Sequence, residues 1–342
     1  MKTVTIHNDK IKNIFEELTL GLGGKIIFDS DEYALEINND FAKGSIVGSS
    51  FSDAISCLQF DMIFSEDVRI GIGNPNISPV YFAYCSKGTL SHSFGISGVE
   101  RKLKKFQTAI VSSRQNDDNI LFFEKNTNTR VTLIVVGTQN MDSIENNFFN
   151  QKVKETFFEK NLSGNFFYVG SYNLKIAEKI EQLNAVTQTG IVRNLLKEGI
   201  LKIILAMEIQ QHSDDMNNNY LKETNCLTLK EMEEIKKLSD LIKATPEEQF
   251  TIKSLSKLSG LSPNKLQEGF KMIHDRTVND FITHMRILKA EILIKNSDLN
   301  ISEIVYCIGF TSRSYFSKIF KQKFNCSPKE YKFNQHQLAI TA

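Results

Sequence analysis

ISEIVYCIGFTSRSYFSKIFKQKFNCSPKEY, residues 301–331, sets one glycine among apolar residues and then interleaves aromatics with Arg313, Lys318, Lys321 and Lys323. A fainter version, IKSLSKLSGLSPNKLQEGFKMIHDRTVNDF, begins at Ile252. Ile252, Leu255 and Gly260 match Ile301, Ile304 and Gly309 at an offset of 49. Beyond the turn the offset is 50, pairing Leu266 with Phe316, Phe270 with Phe320, Asp275 with Asn325, and Phe281 with Tyr331. Matched roles with one inserted residue mark an internal duplication.

Each copy reads as helix, turn and helix. Gly260 and Gly309 can take the positive φ that ends a helix without a Cβ penalty. Ser262-Pro263 is an N-cap and first-turn pair, and Thr311 or Ser312 can cap the matching helix of the second copy. Leu266 and Phe270, like Phe316 and Phe320, lie four apart and pin one helix face to a core. The other face carries Asn264, Gln267 and Glu268 in the first copy, and Arg313, Ser314, Ser317 and Lys318 in the second. Short and forked polar groups of this kind read base edges and phosphates in a major groove. Lys271, Arg286 and Lys321 join them as candidate DNA contacts. Between the copies, Val278 to Lys295 reads as one helix of roughly 27 Å, near the ~34 Å between successive major-groove faces of a duplex.

Residues 228–335 therefore resemble the DNA-binding domain of the AraC/XylS family of bacterial transcription regulators. The likeness rests on Gly260, Leu266, Phe270-Lys271, Arg286, Ala290, the IGF at 308–310, Ser314-Tyr315-Phe316, Phe320-Lys321, and Ser327-Pro328 with Tyr331. It implies seven helices with helix-turn-helix units at about 251–275 and 301–325, double-stranded DNA as ligand and RNA polymerase as a partner. Asp275 and Asn325 stand where the family favours glycine after each recognition helix, Val305 where it favours alanine, and Glu268 and Gly269 are less expected. Tyr315 and Phe316 read as core, and Cys307 as a small buried residue.

The rest is read from patterning. The 342 residues suggest two or three domains, and 41% hydrophobic with 24% charged residues supports packed cores. Net charge is +1, but Leu229 onward holds 18 basic and 13 acidic residues, leaving 23 against 27 upstream. That asymmetry points to an anionic partner for the C-terminal part. Residues 1–137 carry short β-branched and aromatic runs broken by Gly, Asn, Asp and Pro, predicting a β-rich sensor, a cupin-like barrel or sandwich. Residues 138–211 read as helical. Val192, Leu196, Ile200, Ile203 and Met207 share one helix face there, and Ile191, Leu195, Leu201, Leu205 and Ile209 add apolar surface on other sides. One side can rest on the β-rich part, and another is a candidate homodimer surface. Residues 212–227, polar and Asn-rich, read as a linker. The fold class is thus α+β multidomain, with a C-terminal all-α domain.

Phe60, Phe64, Tyr81, Phe82 and Tyr84 are candidate lining for an effector pocket, the effector being a small molecule or a protein. The alternative is a regulator whose N-terminal domain binds a partner protein and no small ligand. Five scattered cysteines and six separated histidines form no metal-ligand pattern, so no metal or other cofactor is expected. No nucleophile, base or metal cluster suggests an enzyme. Without a signal peptide or an apolar run of ~20 residues, the sequence predicts a soluble cytoplasmic protein with no membrane span.

Overall fold

Period-two alternation of apolar residues builds the N-terminal part from two sheets. The first runs β1 (Lys2–Ile6), β6 (Val68–Ile72), β11 (Asn119–Phe123), β8 (Thr89–Phe94) and β9 (Arg101–Lys104). The second runs β13 (Phe166–Tyr172), β10 (Gln107–Ser112), β7 (Val80–Lys87), β12 (Thr129–Val136), β5 (Ile55–Phe64), β4 (Ala42–Ser50), β3 (Glu32–Asn38) and β2 (Lys25–Asp29). All neighbours are antiparallel except β1 and β6. Inward residues of both sheets, among them Val4, Ile70, Phe123, Leu58, Phe60 and Leu133, share one core. Helix α1 (Ile11–Leu22) adds Phe15 and Leu18 to that core.

This computed structural model divides into two units, Met1–Glu223 and Thr224–Ala342. It describes residues 1–333 apart from 30, 53, 74–78, 114–116, 138–147, 160–164 and 218–226.

The expected helical stretch 138–211 needs correction. It holds α2 (Phe148–Lys154), a π-helical turn Glu155–Glu159, α3 (Leu174–Asn184) and α4 (Gly190–Asn217), but also strand β13. That strand completes the β10 edge of the larger sheet, where Ala109 pairs with Val169 and Val111 with Phe167. Residues 138–147 lie outside the described residues, as do the last two of 228–335. The expected linker, 212–227, also starts too early, because α4 continues through Asn217. The cause is tertiary. His212 sets its ring edge on Tyr168 with centroids 4.7 Å apart. Asp215 accepts from the Tyr168 hydroxyl, from Ser171 N at 2.8 Å and from Ser171 Oγ at 2.9 Å. Residues 218–226 of that linker lie outside the described ones.

Helix α4 buries polar groups along with Leu201, Ile204 and Leu205. Gln211 donates to the Ser171 carbonyl at 2.6 Å and accepts from Asn173 Nδ2 at 2.9 Å. Glu208 is 1% exposed, and neither carboxyl oxygen has a hydrogen-bond partner among the described residues. Burial disfavours the charged carboxylate and raises its pKa well above the ordinary value.

The C-terminal unit is helical: α5 (Leu229–Ala244), α6 (Ile252–Ser259), α7 (Pro263–His274), α8 (Val278–Asn296), α9 (Ile301–Cys307), α10 (Arg313–Phe324), and a helical segment at 328–333. Reciprocal capping boxes start α5 (Thr228, Glu231), α6 (Thr251, Ser254) and α9 (Asn300, Glu303). Ile287, Ala290 and Ile294 of α8 pack with Ile304, Phe316 and Phe320 in the core of the second copy.

Glu208 makes stability depend on pH in one direction. Its folded pKa is raised, so the folded state keeps the proton longer, and stability falls as pH rises from the unfolded value of about 4.3. Glu208→Gln should remove that slope. Its N-terminal unit should melt higher than wild type at pH 8, the gap closing near pH 4.5. Parallel melting profiles from pH 4.5 to 8 would show that the carboxyl is not sealed in.

Candidate nucleic-acid interface

The duplicated unit owes its shape to backbone placement at its turns. Helix α6 ends at Gly260 (φ 70°), and the α9 turn passes through Gly309 (φ 78°). Ser262 Oγ then accepts from Lys265 N to start α7, and Ser312 Oγ from Tyr315 N to start α10. Asp275 and Asn325 end these helices in the left-handed region, φ 54° and 58°. Both residue types tolerate that region, which explains how the positions work without glycine. Gly269 has the opposite reason for being small. A Cβ there would come within 2.7 Å of the Ile235 side chain, so the glycine lets α7 lie close on α5.

Two faces are left open by this packing. On α10, Phe316 and Phe320 are fully buried, while Arg313, Ser314, Lys318 and Lys321 are exposed and Ser317 is half-buried. On α7, Leu266 and Phe270 are buried, and Asn264, Glu268 and Lys271 are exposed. Gln267 is half-buried, and its side-chain oxygen accepts from Val278 N at 3.2 Å. It therefore serves the start of α8.

Arg286 is placed otherwise than a phosphate contact requires. Its Nε donates to the Pro246 carbonyl at 2.7 Å, an Nη to the Glu248 carbonyl at 2.9 Å, and the guanidinium lies over the Phe310 ring at 5.6 Å. Beside it Lys289 pairs with Glu247 at 2.6 Å, which holds that carboxyl below its ordinary pKa. The side chain buttresses the α5–α6 loop against α8.

Two readings of the second copy change. Tyr315 is 51% exposed, with its ring edge-on to Phe310, so it is not core. Cys307 ends α9 exposed to solvent. A groove of about 560 Å3 runs between α8 and α10, lined by Arg276, Thr283, His284, Tyr315, Lys318 and Gln322 among others. Burial, then Lys323 and Arg276, push His284 down to about 4, leaving it uncharged at neutral pH. Tyr315, Lys318 and Gln322 follow a 3-4 spacing beside the buried Phe316 and Phe320, a signal that could have placed Tyr315 and Gln322 on this strip from sequence.

The five aromatics expected around one effector pocket do not share one. Phe60 and Phe64 point between the sheets, with ring centroids 5.6 and 5.5 Å from that of Phe123. Tyr81 faces the same way and lines a cavity. The pleat turns Phe82 and Tyr84 to the opposite face, where Phe82 meets Phe157 and the Tyr84 hydroxyl donates to the Asn173 carbonyl at 2.6 Å. Among the described residues no group of His, Cys, Asp or Glu could hold a metal, and no helix is long and apolar enough to cross a membrane.

A family described as a helix-turn-helix domain matches residues 255–333. The probable transcription factor PqrA of Proteus vulgaris is 31% identical over 87 residues, covering 25% of this chain and 71% of PqrA. This chain belongs to the AraC/XylS family. Another member, the regulator MtrA of Neisseria gonorrhoeae, is 27% identical over 154 residues, 45% of this chain. The chain spans 49% of the length of MtrA and 30% of that of the regulator AlkR of Acinetobacter baylyi. Among solved AraC/XylS-like structures, the C-terminal domain of the response regulator yesN from Fusobacterium nucleatum is 30% identical. The match covers 28% of this chain and 96% of that one, with a TM-score of 0.27.

The two turn glycines should respond unequally to alanine. At Gly260 a Cβ meets nothing, so Gly260→Ala should cost only the left-handed strain, about 1–2 kcal/mol. At Gly309 a Cβ would overlap the Glu247 carbonyl oxygen, so Gly309→Ala should cost about 3–4 kcal/mol. Chemical denaturation of the two variants checks the ranking, and equal losses would refute it.

Proposed function

We propose that this protein is a sequence-specific DNA-binding transcription regulator that sets α7 and α10 in adjacent major grooves of one duplex. The observation that carries this reading is the open face of α10, Arg313, Ser314 and Lys318, on a capped turn whose twin presents Asn264, Glu268 and Lys271. Arginine suits guanine O6 and N7, asparagine suits adenine, and a carboxylate accepts from a cytosine amine. Lys271 and Lys321 add phosphate contacts that release counterions. Helix α8, with 19 residues, is about 28 Å long, a spacing suited to neighbouring grooves. By family likeness, RNA polymerase is the proposed protein partner.

In this reading the N-terminal unit is the sensor, and an effector acts by shifting the population that binds DNA. Helix α4 supplies a self-association surface. Its first turns leave Ile191, Val192 and Leu195 at 75%, 51% and 63% exposure, and Leu196 and Ile203 extend the patch. Contiguous apolar surface of this kind marks an interaction site, and a second copy is the proposed occupant.

Site selection from random DNA should yield one bipartite sequence. Arg313→Ala should then lose about 1–3 kcal/mol on that sequence and relax preference at one base. Lys321→Ala should weaken all sequences alike and lower the salt slope by about 1. Failure to enrich any sequence would sink the proposal. For the surface on α4, Leu195→Glu should shift sedimenting dimer to monomer, and a wild-type chain monomeric at high concentration would refute self-association.

A further inference from the structure

At one end of the two sheets lies a cavity of about 330 Å3. Its walls are the end of β1 (Ile6), the starts of β5 and β7 (Ile55, Tyr81), the end of β6 (Ile72), and the first turns of α1 (Ile11, Ile14). A dry apolar cavity of about 150 Å3 holds benzene, so this one has room for roughly ten to fifteen non-hydrogen atoms. The apolar walls call for an apolar body.

Two polar features face that space. Tyr81 is 8% exposed, and its hydroxyl has no hydrogen-bond partner among the described residues. Burial alone raises its pKa, as for a phenol left without a compensating bond. On the cavity wall that hydroxyl is free to donate to an acceptor bound in the space. The second feature is the start of α1. Its N-cap is Lys10, no side chain caps it, and its first turn holds no acidic residue. A cation at that position opposes the helix dipole, whereas an anion bound there would satisfy the open N–H groups, the dipole and Lys10 together. The other polar groups on the wall are largely committed. Asn8 donates to Glu17 at 2.6 Å and accepts from Asn13 at 3.1 Å, and Ser50 and Ser56 bond each other at 3.3 Å. Asp9 stands exposed at the rim, one negative group against Lys10 and the helix terminus.

The geometry points to a binding site for a compact monocarboxylate with an apolar body. The body fills the space between Ile6, Ile55 and Ile72, Tyr81 donates to an oxygen of the ligand, and the carboxylate sits at Lys10 and the start of α1. This deepens the effector-sensing part of the proposed function and rests on that reading for its consequence, though not for the binding itself.

Calorimetric titration of the full chain with 4-phenylbutyrate and with its primary amide tests the site. The acid should saturate at one equivalent, with the amide about tenfold weaker because it brings no charge. Lys10→Glu, an exposed change that leaves the core alone, should weaken the acid about tenfold and leave the amide unmoved. Tyr81→Phe should weaken both about fivefold. Absence of saturable binding overturns the site. Equal affinity for acid and amide overturns the charge assignment, and wild-type affinity in Tyr81→Phe places the ligand elsewhere. DNA affinity measured with and without saturating acid separates the two readings. If the acid binds and DNA affinity is unmoved, the site stands and the effector reading fails.

Discussion

The Arg286 guanidinium reaches across from the long helix α8 to two backbone carbonyls, those of Pro246 and Glu248, and rests on Phe310. Three parts of the C-terminal unit meet there: the loop after α5, the helix between the repeats, and the turn of the second repeat. The same loop approaches that turn closely enough that Gly309 tolerates no side chain, and Lys289 adds an ion pair to Glu247. Charge-assisted bonds to carbonyls contribute about 1.5–3 kcal/mol each at most, and less where the arginine is half exposed. Their larger effect is geometric. Without this junction two small helix-turn-helix units would hang from one helix with only their separate cores to orient them.

Much of this unit was legible because its determinants are local. The paired glycines, the serine caps at Ser262 and Ser312, and the four-residue spacing of Phe316 and Phe320 are short-range signals. What escaped was set by partners far along the chain. Gly269 looked like a weak spot in a recognition helix until Ile235, 34 residues earlier, supplied its reason. Gln267 and Arg286 read as DNA contacts, since nothing nearby in sequence marks Val278 N as the donor to Gln267 or the carbonyls of Pro246 and Glu248 as the acceptors from Arg286. Tyr315 reads as core by its aromaticity, yet it lies about 100° around the helix from Phe316 and so faces solvent.

In the N-terminal unit, short β-branched and aromatic runs mark residues 1–137 as β-rich, but one strand beyond them carries no such local context. Strand β13 lies between helices in sequence, and only its pairing with β10 makes it a strand. Residue type alone groups the five aromatics, whereas the pleat sorts them by parity: Tyr81 inward, Phe82 and Tyr84 outward toward Phe157 and Asn173. Helix α4 shows why its periodicity was ambiguous. Its first turns expose leucine and isoleucine, while its later turns bury Glu208 and Gln211, so polarity and burial run against each other along a single element.

The junction at Arg286 also has a statistical consequence. For a chain that grips DNA with both repeats, once one has docked the other searches no volume of its own. A stiff spacer holds it at a high local concentration near the next groove, so the two weak affinities multiply instead of acting separately. The gain holds only for targets whose half-sites keep the same separation and rotational phase. Such a chain therefore discriminates by the distance between half-sites as well as by their bases.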